Sequence, residues 1–170
     1  LYVARDEIRE WVQEHKTESR SDLLNDARTM GKGAVAPSLA LIAWGLSAAT
    51  GNDREKETAL LLLESAGYSA ATAYAGSFVL ASERPVEGDS IRFFDVEGHG
   101  DSLDAALAAS VIPPLRRQYL RVGPEDGRAK RFWKRSATVA LYAGALLTAY
   151  QRLDADQHWA PDVYLGTAAG

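Results

Sequence analysis

A short segment near the C-terminus combines three side chains that could transfer a phosphoryl group. Arg152, His158 and Asp162 follow the spacing Arg-x5-His-x3-Asp. A neutral imidazole nitrogen can attack phosphorus, and a guanidinium group can bind two phosphoryl oxygens at once. A carboxylate four residues after the histidine, one helical turn away, could hold the ring in one tautomer. The segment therefore predicts a phosphotransfer site.

The same residues also have a purely structural interpretation. Pro161 suits the first turn of a helix, where Asp162 would lie near the positive end of the helix dipole. His158 would then be an ordinary loop histidine. Spacing alone favours this structural interpretation, so the phosphotransfer hypothesis needs support from elsewhere in the chain.

The composition fits one folded domain and argues against nucleic acid as a partner. The chain has 170 residues, of which 46% are hydrophobic, and its net charge is −4 at pH 7. This length can bury a substantial core, whereas the weakly acidic total provides no basic field for a nucleic-acid backbone. Cysteine is absent, which excludes disulfides and thiolate metal sites. No signal peptide is visible, although one could have been removed.

The hydrophobic pattern predicts an all-α helical bundle in a single domain, 1–170, with an N-terminal helical extension over 1–30. Helices are expected over residues 1–16, 22–30, 34–50, 54–82, 105–112, 136–150 and 161–170, with 54–82 as one long helix or two abutting ones. The helices at 34–50 and 54–82 are rich in small residues, which favours burial in a soluble bundle over a membrane span. The helix at 136–150 is apolar on nearly all sides, which predicts a central buried element.

Two connecting segments are also informative. Residues 86–100 predict a polar loop, and a loop of this length in a helical bundle often lines a site. Asp101 or Ser102 is expected to cap the helix that follows, and Pro113-Pro114 to end it.

A basic cluster with interleaved aromatic residues occupies 115–135. It could bind nucleic acid, or it could be a solvated helix face whose aromatic side chains point inwards. The acidic total of the chain favours the second interpretation, in which Tyr119, Phe132 and Trp133 contribute to the core.

Three short motifs occur along the chain in a recognisable order. Arg84-Pro85 comes first, Asp101-Ser102-Leu103-Asp104 second, and the Arg152 to Asp162 segment third. In this order they resemble the type 2 phosphatidic acid phosphatase superfamily, whose motifs are Lys-x6-Arg-Pro, Pro-Ser-Gly-His and Ser-Arg-x5-His-x3-Asp. This all-helical group includes bacterial acid phosphatases, lipid phosphatases and vanadium haloperoxidases. The resemblance covers most of residues 30–170.

The resemblance implies a phosphatase that hydrolyses a phosphomonoester or a lipid phosphate with neither a metal nor another cofactor. Arg84 and Arg152 would bind the phosphoryl oxygens. Ser102 and the backbone amides at the start of its helix would assist them. His158 would form a phosphohistidine, while Asp162 would orient the imidazole ring.

Two positions depart from the family motifs. Ser77 lies seven residues before Arg84, where the family has a phosphate-binding lysine, and Asp104 replaces the general-acid histidine. Repulsion between like charges roughly 4 Å apart costs on the order of 1–4 kcal/mol, which would weaken phosphate binding by about tenfold to a thousandfold. Asp104 could instead be held protonated by burial and act as the acid. Alternatively, His99 could donate the proton, since the glycines on both sides permit unusual backbone geometry.

These departures leave a second hypothesis open, a catalytically degenerate relative that binds an oxyanion or serves as a structural interaction module. A haloperoxidase is disfavoured, because its site also needs the missing lysine and second histidine. The resemblance implies a periplasmic, secreted or membrane-associated location. It implies a phosphorylated small molecule or lipid phosphate as partner, and it is compatible with membrane-surface association and with a homo-oligomer.

Overall fold

The computed structural model describes residues 4–88, 90–95 and 100–170, and this part of the chain is predominantly helical, as expected for an all-α protein. Its helices are α1 (Arg5–Glu14), α2 (Glu18–Ala27), α3 (Val35–Thr50), α4 (Asp53–Val79), α5 (Leu103–Ser110), α6 (Ile112–Leu115), α7 (Arg128–Asp154) and α8 (Ala160–Ala169). A 3-10 turn spans Arg28–Gly31 and a π-helical turn spans Arg116–Leu120. Strands β1 (Leu80–Ser82) and β2 (Ile91–Phe93) form an antiparallel pair in which Leu80 is opposite Phe93.

The core consists largely of alanine side chains, which allow the helices to approach one another closely. Its main buried cluster contains Ala36, Ala40, Ala43, Ala59, Leu62, Ala108, Val111, Ile112 and Ala145. Helix α5 lies at the centre, since it packs against α4, α7 and α8 and its alanines at 105, 106 and 108 are fully buried. The first turn of α5 is therefore surrounded by the elements that carry the predicted motifs.

Helix α8 crosses the start of α5 at a glycine. A methyl group on Gly166 would overlap the carbonyl oxygen of Ser102, so no larger residue fits without a shift. We expect Gly166→Ala to lower the free energy of unfolding by about 1–3 kcal/mol, because the crossing becomes overpacked. Urea denaturation measures this loss. Gly45 in α3 faces open space, so Gly45→Ala should raise the free energy of unfolding by up to about 1 kcal/mol. Equal effects of the two substitutions would contradict a close helix crossing at Gly166.

The N-terminal helices pack against the end of α7. Asp154 is buried and accepts hydrogen bonds from Arg20 Nη2 and Ser21 Oγ, both at 2.6 Å. Arg9 binds Asp156 through two nitrogens, at 2.6 and 2.7 Å. The segment predicted as an N-terminal extension, 1–30, thus stabilises the end of α7 and the connection between α7 and α8 through these contacts.

Two boundaries differ from the predictions for local reasons. Helix α2 begins at Glu18 rather than at residue 22, because Thr17 Oγ1 accepts a hydrogen bond from the amide of Arg20 and caps the helix inside the expected polar break. Helix α4 ends at Val79, and the chain continues as β1. The predicted 86–100 loop accordingly contains β2, so the chain forms a hairpin where only a loop was expected.

The helix expected to end at Pro113-Pro114 does end just before them, since α5 stops at Ser110, but the two prolines also begin another short helix. Both prolines lie in the first turn of α6, where a backbone N–H has no intrahelical acceptor and its loss costs little. The predicted 136–150 helix is also longer than expected, since α7 runs from Arg128 to Asp154.

Many large apolar side chains on α3, α4 and α7 are exposed, contrary to the prediction that these helices are buried. They include Leu41, Ile42, Trp44, Leu60, Leu63, Val139, Tyr142 and Leu146. Phe132 is 73% exposed and Trp133 is 66% exposed, so the prediction that these aromatic residues point inwards was wrong. Alanines fill most core-facing positions of these helices, with Leu62 as a large buried exception, and many of the larger side chains remain outside. Within the described ranges, no helix combines the length and apolar character needed to cross a bilayer.

Candidate functional site

A cavity of about 550 Å³ opens where the end of α4, the hairpin, the start of α5 and the α7–α8 connection meet. Its described lining comprises Arg28, Tyr74, Ser77, Phe78, Arg84, Asp95, Asp101, Leu103, Asp104, Arg152 and His158. The cavity is of the size that holds a small-molecule ligand. It brings together Arg84, Arg152 and His158, which are up to 74 positions apart in the sequence.

The His158 ring is held in one tautomer. Its Nδ1 lies 3.2 Å from the carbonyl oxygen of Gly100. Because a carbonyl only accepts hydrogen bonds, Nδ1 carries the hydrogen and Nε2 keeps the lone pair. Burial lowers the pKa of His158 to about 4, and the charge of Arg152 contributes to this shift. At neutral pH the ring is therefore uncharged and has a nucleophilic Nε2.

The backbone contact to His158 depends on a close approach at Gly100. A methyl group at this position would lie 2.7 Å from Ser77 Cα and would overlap the Leu80 carbonyl oxygen, so a glycine is required there. Ser77 itself lines the cavity, but its hydroxyl donates to the Asp101 carbonyl oxygen at 3.2 Å. The position at which the resemblance expects a lysine thus carries no charge.

The structure corrects the prediction that Asp162 orients the His158 ring, because the hydrogen bonds of Asp162 go elsewhere. Asp162 Oδ2 accepts hydrogen bonds from Ser82 Oγ at 3.0 Å and from the Trp159 amide at 3.3 Å. Burial raises the pKa of Asp162 to about 7. The carboxyl group therefore fixes the start of α8 and ties it to β1, while the Gly100 carbonyl orients the imidazole.

Asp104, in the first turn of α5, binds two arginines. Its Oδ2 accepts from Arg28 Nε at 2.9 Å and lies 3.2 Å from Arg152 Nη1. Both guanidinium groups approach the same carboxylate oxygen, which therefore acts as a hydrogen-bond acceptor. Because these contacts make Asp104 an acceptor, they lend no support to the hypothesis that it donates a proton as a general acid.

The two predicted phosphate-binding arginines come from structured turns. Arg152 is in the last turn of α7 and is buried, and this burial lowers its pKa. Arg84 follows β1, and its carbonyl accepts from the amides of Glu87 and Gly88 at 2.8 and 3.0 Å. Each arginine has a buried Nε–H with no partner among the described residues. Such unpaired donors are uncommon in folded proteins and mark a place where an anion could bind.

Ser102 does not join this cluster of cavity side chains. Ser102 is fully buried, and its hydroxyl accepts from the Ala105 amide at 3.4 Å. Ser102 is therefore the N-cap of α5, as the sequence predicts, and is not among the described lining residues of the cavity, which corrects its assignment to phosphate binding. His99 lies outside the described residues.

Sequence reasoning missed Arg28, which lines the cavity and binds Asp104. No motif surrounds it, and in the sequence it only lies near the end of the helix predicted over 22–30. The described residues contain no group of three or more His, Asp or Glu side chains arranged to hold a metal ion.

No family model, curated protein or solved structure matches this chain. The geometry of the site, a neutral imidazole beside several guanidinium groups, is suited to an anionic phosphoryl group.

The low pKa of His158 should make the folded protein less stable in acid. The unfolded chain takes up a proton near the ordinary pKa of 6.5, whereas the folded chain does so near 4, so stability falls as the pH drops through this range. Between pH 7 and pH 4.5 the loss due to His158 should be about 2 kcal/mol. The measurement compares urea unfolding of the native chain and of His158→Gln at both pH values.

The comparison with His158→Gln is needed because Asp162 changes the stability with pH in the opposite direction. Its raised pKa, about 7 in place of 3.8, lowers stability as the pH rises through that window. Asp162 is present in both proteins, so the difference between them isolates His158. The same pH dependence in both proteins would contradict a buried, neutral His158.

Proposed function

We propose that this chain is a phosphatase of the type 2 phosphatidic acid phosphatase kind, acting on a phosphomonoester or a lipid phosphate. The observation that carries the proposal is the His158 ring, neutral and oriented by the Gly100 carbonyl, in one cavity with Arg84 and Arg152. The order of the motifs along the chain and the helical class support the same assignment.

Substrate binding would use the guanidinium groups of the cavity. Arg84 and Arg152 donate to the non-bridging phosphoryl oxygens and hold the phosphorus near His158 Nε2. Their positive charges also stabilise the negative charge on these oxygens in the transition state.

The reaction would proceed in two displacements. His158 Nε2 attacks phosphorus, the bond from phosphorus to the leaving oxygen breaks, and that oxygen takes a proton from solvent or from an acid near the cavity. The Nδ1–H group stays bonded to the Gly100 carbonyl, which supports the positive charge on the ring. Water then attacks the phosphohistidine, the nitrogen–phosphorus bond breaks, and phosphate leaves with His158 neutral again.

The ion pairs of Asp104 favour a second candidate function, phosphate binding without turnover. Because Arg28 and Arg152 both bind its carboxylate, Asp104 is poorly suited to protonate a leaving alcohol. A general acid contributes about 10²- to 10⁴-fold to such a reaction. Leaving groups that need no proton, such as p-nitrophenolate, would be least affected.

Hydrolysis of p-nitrophenyl phosphate by the purified chain and by His158→Ala tests the proposal. Release of p-nitrophenolate that depends on His158 supports the phosphatase. A melting temperature that inorganic phosphate raises, with no hydrolysis, supports the binding module. The absence of both hydrolysis and stabilisation by phosphate would contradict both functions.

A further inference from the structure

We infer that Arg28 is a third phosphate-binding residue of this cavity, supplied by the N-terminal segment. The inference rests on the proposed oxyanion site and extends it to a residue outside the three motifs. Arg28 begins the 3-10 turn after α2, and its side chain lines the same cavity as Arg84 and Arg152.

The contacts of Arg28 leave most of its donors free for a ligand. Its Nε is 2.9 Å from Asp104 Oδ2, the oxygen that also lies 3.2 Å from Arg152 Nη1. Because one oxygen binds both arginines, their guanidinium groups are neighbours on the cavity wall. The two terminal nitrogens of Arg28 have no hydrogen-bond partner among the described residues, and the side chain is 42% exposed. These nitrogens can therefore reach a molecule in the cavity.

The charges around Asp104 also favour an anionic ligand. Two guanidinium groups share the single carboxylate of Asp104, although Asp95 and Asp101 also line the cavity with carboxyl groups of their own. The two guanidinium groups repel each other, and a second anion that binds the donors not used by Asp104 would reduce this repulsion further. A phosphoryl group beside Asp104 would supply negative charge and would accept hydrogen bonds from both arginines at once.

The same contacts would be seen if Arg28 had a purely structural role and did not touch the ligand. In that case the pair between Arg28 and Asp104 would only attach the N-terminal segment to α5. Removal of Asp104 separates the two roles, since a structural tie loses its effect when its partner is absent, whereas a contact with the ligand persists.

The experiment is a double-mutant cycle on the affinity for inorganic phosphate, measured by titration calorimetry on the full chain. The variants are Arg28→Ala, Asp104→Asn and the two combined. We expect Arg28→Ala to weaken phosphate binding by about 10- to 100-fold, the value of a charge-assisted hydrogen bond. The same loss should appear in the Asp104→Asn background.

Arg117→Ala is the matched control for loss of one arginine. Arg117 is 69% exposed, lies 3.5 Å from Glu57, and is not among the described lining residues of the cavity, so its removal should leave the affinity for phosphate unchanged. Thermal unfolding of each variant verifies folding, and Arg28→Gln serves as a second variant should Arg28→Ala fail to fold.

Each outcome bears on the inference. An unchanged affinity in Arg28→Ala overturns it and leaves His158-dependent hydrolysis intact. A loss that disappears in the Asp104→Asn background also overturns it, because Arg28 would then act only through Asp104. Failure of the native chain to bind phosphate removes the oxyanion site altogether. Binding that depends on Arg28 without any hydrolysis supports the inference and removes only the phosphatase proposal.

Discussion

Replacement of His158 by alanine should reduce hydrolysis of p-nitrophenyl phosphate to the background rate. Removal of the nucleophile from a hydrolase lowers kcat on the order of 10⁶-fold, because the covalent route is lost. His158 is the only described cavity residue with a neutral nitrogen nucleophile, and the Gly100 carbonyl already fixes its tautomer. The measurement is initial-rate release of p-nitrophenolate by the purified variant.

His15 provides the matched histidine control. It is exposed, stacks on Trp11 at a centroid distance of 4.7 Å and bonds the Trp11 carbonyl in α1. His15→Ala should therefore retain full activity. Phosphate should still bind to His158→Ala, since the guanidinium groups of Arg84 and Arg152 remain in place. Retention of hydrolysis in His158→Ala would remove the proposed nucleophile.

The motifs that could be predicted are those in which local sequence determines local structure. Arg152 and His158 lie six positions apart, and Pro161 lies in the first turn of α8 just after them, so the short connection itself brings them to one place. Arg84 is distant in sequence, but its pairing with Pro85 indicates a turn. Arg28 had no such signal, because the packing of α2 against α7 and of the 3-10 turn against α5 places it beside Asp104.

Hydrophobic periodicity failed where small residues form the core. The pattern shows which positions of α7 are apolar, but not which of them face a neighbouring helix. In the fold, Ala145 and Ala149 face inwards, whereas Trp133 and Leu146 are exposed. The spacing of Asp162 was ambiguous for a related reason. A carboxylate one turn after a histidine can reach either the ring or the start of its own helix, and the nearby Ser82 hydroxyl favours the latter.

Arg20→Met should lower the free energy of unfolding by about 3–5 kcal/mol, because it leaves a buried carboxylate without its charged partner. Asp154 is almost fully buried and accepts from Arg20 Nη2 at 2.6 Å and from Arg20 Nε at 3.2 Å. Among the residues that the structure describes, Ser21 Oγ alone would remain as a side-chain donor to it. Urea denaturation measures the loss, and Arg117→Met, at an exposed ion pair, should cost no more than about 1 kcal/mol.

The double variant Arg20→Met with Asp154→Leu shows whether the loss comes from the unpaired charge. Replacement of both partners by apolar groups should recover most of the stability, since no buried charge remains.

The pair between Arg20 and Asp154 also links the stability of the fold to phosphate binding in the cavity. Arg20 and Arg28 lie at opposite ends of α2, so a loosened α2 should also weaken phosphate binding. A stability loss in Arg20→Met no larger than that of Arg117→Met would mean that another contact anchors the N-terminal helices and holds Arg28 at the cavity.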